Sequence, residues 1–137
     1  MTRVSVSFRG VPDSGAALGR AGMHSVVVDR PEGRAGGTGL GFNGGQLLAL
    51  AIGGCLCNDL HYVAHAMGIT LTSLAVEVSV EFDGEPLLAR GAEAAIAVTS
   101  ADPADDLDDL VARVRADSTV ANSLARGVPV TVARPAG

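Results

Sequence analysis

The residues best able to do chemistry crowd one short stretch: Cys55, Cys57, Asp59, His61 and His65. Cys55 is a candidate nucleophile or redox centre, provided a positive neighbour holds its sulfur as thiolate. The competing reading is a buried cysteine acting as a small hydrophobe. Cys57 lies about 200° around a helix from Cys55, so the two cannot close a disulfide without unwinding it. His61 and His65, spaced i, i+4, share a face with Cys57, and neighbouring pairs on such a face can chelate a metal. Cys57 and His65 would be roughly 12 Å apart along the axis, too far for one ion. No second His, Cys or carboxylate cluster supplies missing ligands, so neither metal nor cofactor is expected and the histidines read as solvent-facing. Asp59 reads as a polar contact of the emerging helix.

The Gly-rich segment GGTGLGFNGG does not match the phosphate-loop spacing, and the chain has no lysine to complete it. There is no G-x-S-x-G elbow for a hydrolase triad either.

The elements that must carry these side chains follow from periodicity. Val4, Val6 and Phe8 alternate with Arg3, Ser5, Ser7 and Arg9 as in a half-buried strand. Gly10 to Gly22 reads as a loop, His24 to Asp29 as a second strand, and Pro31 to Gly45 as an ordered Gly-rich loop. Gln46 to Met67 is the long central helix. Its first half, LLALAIGGCLC, is apolar all round and so predicts burial on most sides; Gly68 closes it. Leu74 to Phe82 and Arg90 to Thr99 alternate cleanly around the turn Asp83-Gly84-Glu85-Pro86, predicting a hairpin. Asp102 reads as an N-cap with Pro103 first in the next helix, where Leu107, Leu110, Val111 and Val114 follow at helical spacing. A short helix covers Ser118 to Ala125, Gly127 breaks it, and Val128, Val130 and Val132 form a last strand.

The predicted order is β-β-α-β-β-α-α-β, an α+β fold with antiparallel pairing and a buried central helix. At 137 residues the chain reads as one domain, 1–137. A helix apolar on every side needs more cover than this chain supplies, so a homodimer is expected.

Composition narrows the functions. Net charge is -5, and all ten basic residues are arginines without a clustered basic face, which argues against nucleic acid. Aromatics make up 3%, so base-stacking platforms are excluded. The apolar run Leu47 to Cys57 is too short to span a bilayer and is broken by Gly53 and Gly54, so no membrane role is expected. Two cysteines two residues apart are not a disulfide framework, and the N-terminus lacks a signal peptide's apolar segment. Both make a reducing cytoplasm the expected compartment.

The stretch VDRPEGRAGGTGLGFNGGQLLALAIGGCLCNDL resembles the OsmC/Ohr family of osmotically inducible and organic-hydroperoxide-resistance proteins. Asn43, Gln46 and Leu47 fit its Asn/Ser-Pro-Glu-x-Leu pattern, and Cys55 falls at its reactive-cysteine position. DSTVANSLARGVPV resembles its Cys-Pro-Val-Ser-x-x-Leu-x-x-Gly-Val-Pro-Val. The resemblance implies an OsmC-like fold in an intertwined homodimer. It also implies a thiol peroxidase in which the first cysteine attacks the O–O bond, a second closes a disulfide, and an external thiol reduces it. An arginine would keep the first thiol ionised; Arg20 is favoured over Arg30 and Arg34.

The chain departs from that pattern. Ser118 stands at the second cysteine's position and Thr119 replaces its proline; Gly44 and Gly45 replace Pro-Glu. A hydroxyl cannot resolve a sulfenic acid as a disulfide. Two readings lead, ahead of an enzyme of some other chemistry around Cys55, His61 or Ser118. One is a one-cysteine hydroperoxide reductase with Cys55 and Arg20 as catalytic residues, a small hydroperoxide as substrate and an external thiol as reductant. The other is a non-catalytic binding protein with a small-molecule pocket at the dimer interface.

Overall fold

Three short strands open the chain: β1 (Ser7–Gly10), β2 (Ala17–Ala21) and β3 (His24–Val28). The computed structural model, which describes residues 1–136, pairs them antiparallel in the order β1-β2-β3. The segment expected as a loop, Gly10 to Gly22, therefore contains a strand. A tight hairpin makes it: Ala21 pairs with His24, and Gly22 between them takes φ +61°, a conformation that costs glycine little.

Beyond β3 the Gly-rich loop is tied to a single carboxylate. Asp29 is 6% exposed and accepts hydrogen bonds from the N–H of Arg30 (2.8 Å), Thr38 (3.1 Å) and Leu40 (3.1 Å) and from the Thr38 hydroxyl (2.9 Å). The Leu40 N–H leads the donors that outweigh the burial penalty, and together they lower the Asp29 carboxyl from 3.8 to about 2. Phe42 then lies beside β3, donating to the Val27 carbonyl (2.9 Å) and accepting from Asp29 N–H (3.1 Å).

Helix α1 (Gly44–Met67) starts at a capping box. Asn43 Oδ1 accepts from Gln46 N–H at 2.8 Å, and Gln46 Oε1 accepts from Asn43 N–H at 3.0 Å. It ends at Gly68, with φ +71°; Gly68 N–H reaches the His65 carbonyl and Ile69 N–H the Ala64 carbonyl, a Schellman closure. At 24 residues, with a mean hydropathy of 1.4 over its most apolar window, α1 is long and apolar enough to cross a membrane. Its buried residues form one stripe, Ile52, Leu56, Leu60 and Ala64, while Leu50 and Tyr62 are exposed. Within one chain, then, burial on most sides is not reached.

The hairpin is longer than its alternation predicts: β4 (Leu71–Asp83) pairs antiparallel with β5 (Leu88–Ser100) as a separate two-stranded sheet. Leu74, Val76, Val78 and Val80 of β4, with Ile96 and Val98 of β5, turn onto the α1 stripe. Helix α2 (Leu107–Asp117) completes the core with Leu110 and Val114, both fully buried, beside a fully buried Leu60. Burying each such side chain stabilises the fold by roughly 1.5–3 kcal/mol.

The N-cap of α2 is Asp106, whose carboxylate accepts from Asp109 N–H (2.9 Å). Asp102, the expected cap, instead closes a local turn onto Ala104 N–H (2.9 Å). Helix α3 (Thr119–Arg126) stops at Gly127. The last expected strand is absent among the described residues: Val128, Val130 and Val132 have no strand partner and are exposed.

The α+β class, the antiparallel sheets and the central helix are thus present, with an extra strand before β3 and none after α3. By contacts the chain forms two compact units, Met1–Leu48 and Ala49–Gly137.

Candidate functional site

Cys55 projects from the middle of α1, one helical step short of Leu56 in the buried stripe, and is half-buried. Asp59, four residues on, returns to the same face. The Cys55 thiol donates to Asp59 Oδ2 at 3.4 Å. From the other side Ser118 Oγ donates to Cys55 Sγ at 3.8 Å, near the outer limit for a sulfur acceptor. The result is a run of three groups: hydroxyl, thiol, carboxylate.

Ser118 owes its place to the junction between α2 and α3. It is fully buried, and its N–H donates to the Val114 carbonyl (2.9 Å). Asn122 fastens this corner. Its Nδ2 donates to the carbonyls of Ser118 (2.7 Å), Arg115 (3.1 Å) and Ala116 (3.3 Å), satisfying backbone acceptors that the end of α2 leaves open. Beside the corner is an open cavity of about 420 Å³, lined in part by Ser118, Asn122, Ser123 and Arg126.

The structure therefore brings Cys55 and Ser118 together. Arg20 lies in the N-terminal unit, exposed on β2 opposite Ser7 and Ser25. Arg30 engages Asp29 (Nη2 to Oδ1, 3.4 Å), and Arg34 sits in the turn of the Gly-rich loop, its N–H on the Pro31 carbonyl. Cys57 is a free, half-buried thiol; His61 and His65 are exposed. Asp59, read from the sequence as a polar contact of the emerging helix, makes that contact with Cys55, four residues before it. One participant, Asn122, escaped the sequence reading, because its role depends on how α2 stops.

Chemically, the site offers a thiol with a hydroxyl donor on one side and a carboxylate on the other. It can present sulfur to a small electrophile. It has no second sulfur on Ser118 with which to form a disulfide.

The profile of the OsmC-like protein family matches residues 37–133. Among solved structures, an OsmC-like protein from Vibrio cholerae superposes with a TM-score of 0.78 at 9% identity, covering 90% of this chain and 94% of that one. An OsmC-like protein from Mycoplasma pneumoniae gives 0.75 at 17%, covering 90% and 88%. An organic hydroperoxide resistance protein from Legionella pneumophila gives 0.58 at 19%, covering 90% of each. No functionally curated protein matches the chain. With the profile running from within the Gly-rich loop through α1, the β4–β5 hairpin and both following helices, the chain belongs to the OsmC-like protein family.

Proposed function

We propose that this chain is a hydroperoxide reductase of the one-cysteine type, with Cys55 as its nucleophile. The observation that carries the reading is the contact of Cys55 Sγ with Ser118, the residue at the family's second-cysteine position. In the proposed step the sulfur lone pair attacks the terminal oxygen of ROOH. The O–O bond breaks, RO⁻ leaves with the electron pair, and the thiol proton ends on it as ROH. Cys55 becomes a sulfenic acid. Two equivalents of an external thiol then return it to the thiol, releasing water and a disulfide. Arg20 is proposed as the cation that favours thiolate.

The same reading makes the working form a cytoplasmic homodimer. The exposed Leu50, Tyr62, Val128, Val130 and Val132 support it, being apolar surface that a second copy would cover. The deciding experiment traps sulfenic acid after stoichiometric cumene hydroperoxide. Trapping at Cys55 that is lost in Cys55→Ser supports the reading; no trapping in the wild-type chain ends it.

One observation favours the second reading, a non-catalytic small-molecule-binding protein. The thiol hydrogen of Cys55 is engaged on Asp59 Oδ2 at 3.4 Å, as in a thiol held in place by its neighbours. Native mass spectrometry of the purified protein would reveal a retained small molecule.

A further inference from the structure

Ser118 is fully buried, and among the described residues its hydroxyl has one hydrogen-bond partner, the Cys55 sulfur at 3.8 Å. Burying a hydroxyl is costly unless it is well paired. A neutral thiol is a weak acceptor, so the pairing is poor while Cys55 keeps its proton. A helix cap was the ordinary alternative. Ser118 is the N-cap of α3, where a serine oxygen usually accepts from the first free amides, yet its side chain makes no such bond. Ionising the sulfur changes the balance. A thiolate is a strong acceptor, and a hydrogen bond to a charged group is about twice as strong as a neutral one. The gain therefore falls on the ionised form.

The other groups around the sulfur are few. From its own helix Asp59 takes the thiol hydrogen at 3.4 Å while Cys55 is neutral. The β4–β5 hairpin meets α1 with apolar side chains, among them Val76, Val78 and Ile96. From the α2–α3 junction the facing group is Ser118, which carries no charge. Cys55, Asp59 and Ser118 all belong to the Ala49–Gly137 unit.

We infer that Ser118 is a further catalytic residue, whose hydroxyl donates to the Cys55 thiolate and raises the fraction of reactive sulfur. This rests on Cys55 as the reacting group of the proposed reductase. It adds a directed hydrogen bond to the charge proposed for Arg20. The residue at the family's second-cysteine position then serves the attack on peroxide, where a thiol there would serve the later disulfide.

The test follows alkylation of Cys55 by iodoacetamide across pH, in a Cys57→Ser background that leaves Cys55 as the remaining thiol. Sulfur attacks carbon, iodide leaves with the bonding pair and the thiol proton passes to solvent. Asp59 is the same in every variant, so its influence cancels in the comparison. Ser118→Ala removes the hydroxyl and little volume; Ser118→Thr keeps the hydroxyl. With Ser118→Ala the rate should fall about three- to tenfold on the rising limb of the profile and stay within about twofold on the high-pH plateau, where the sulfur is ionised in both. Ser118→Thr should follow the parent chain on both.

A purely structural part would lower the plateau or the melting temperature without moving the rising limb. A Ser118→Ala profile that coincides with the parent's, or moves to lower pH, overturns the inference. So does a Ser118→Thr profile that moves like that of Ser118→Ala. If the extra methyl unfolds Ser118→Thr, Ser118→Ala decides alone. Sulfenic acid trapping with cumene hydroperoxide runs in parallel. No trapping in the parent chain ends the reductase reading, while the alkylation profile still decides the part played by Ser118.

Discussion

Ser118 Oγ lies 3.8 Å from Cys55 Sγ, although 63 residues separate the two in sequence. The two positions that the family resemblance pairs as first and second thiols are therefore in contact. Ser118→Cys should restore a sulfur partner. We expect that variant, after one equivalent of hydroperoxide or diamide, to form an intramolecular disulfide between positions 55 and 118. Peptide mapping under non-reducing conditions checks it. Free thiols at both positions after oxidation would refute the juxtaposition.

The corner that presents Ser118 depends on Asn122. Its amide serves three carbonyls at the end of α2. Asn122→Ala should cost about 1–2 kcal/mol of stability. It should also speed hydrogen exchange at the Ser118 amide, which is bonded to the Val114 carbonyl. A variant with unchanged denaturation midpoint and unchanged exchange at Ser118 would show that the corner holds without it.

Asp29 gives the fold an acid limit. Its carboxyl titrates near 2 in the folded chain against an ordinary 3.8, chiefly because of the Leu40 N–H. A depressed carboxyl stabilises the folded state above its unfolded value. That contribution is full above about pH 5 and is lost as pH falls through 4 toward 2. Urea midpoints measured between pH 5 and pH 2 should fall more steeply in the wild type than in Asp29→Asn, which carries no titrating group there. Equal slopes would remove Asp29 from the account.

Leu60 anchors the helical unit, fully buried with Leu110 and Val114. Leu60→Ala should lower stability by about 3 kcal/mol, through lost transfer energy and a residual cavity. Chemical denaturation monitored by circular dichroism reads this directly. A loss under about 1 kcal/mol would mean the core collapses around the gap.

Much of this was legible before any coordinates. The central helix was expected from Gln46, and Asn43 and Gln46 were noted as matches to the family's pattern; in the structure they exchange the hydrogen bonds of a capping box at its start. The alternation in β4 is equally direct, because one face of the strand meets an apolar core. Strand β2 was hidden: Ala-Leu-Gly-Arg-Ala has little strand preference, and its pairing follows from the turn at Gly22.

The start of α2 was misplaced because Asp102 and Pro103 look like a helix entry, while the carboxylate that reaches a helical N–H belongs to Asp106. The segment Val128 to Val132 has a strand's pattern without a strand's partner, since a pattern of side chains cannot supply the backbone that must pair with it. For the site, Cys55 and Ser118 were singled out by family resemblance and are in contact. Asp59 was read as a polar contact of the emerging helix, but its partner, Cys55, was not named.

Ser118 occupies the N-cap of α3, yet its side chain makes no capping hydrogen bond. A serine so placed ordinarily tethers the first free amides of the helix that follows. Here the hydroxyl points at sulfur, and the opening turn of α3 goes without that tether. Trimming the residue to alanine should therefore leave helix initiation almost untouched, so whatever Ser118→Ala alters would be read at Cys55.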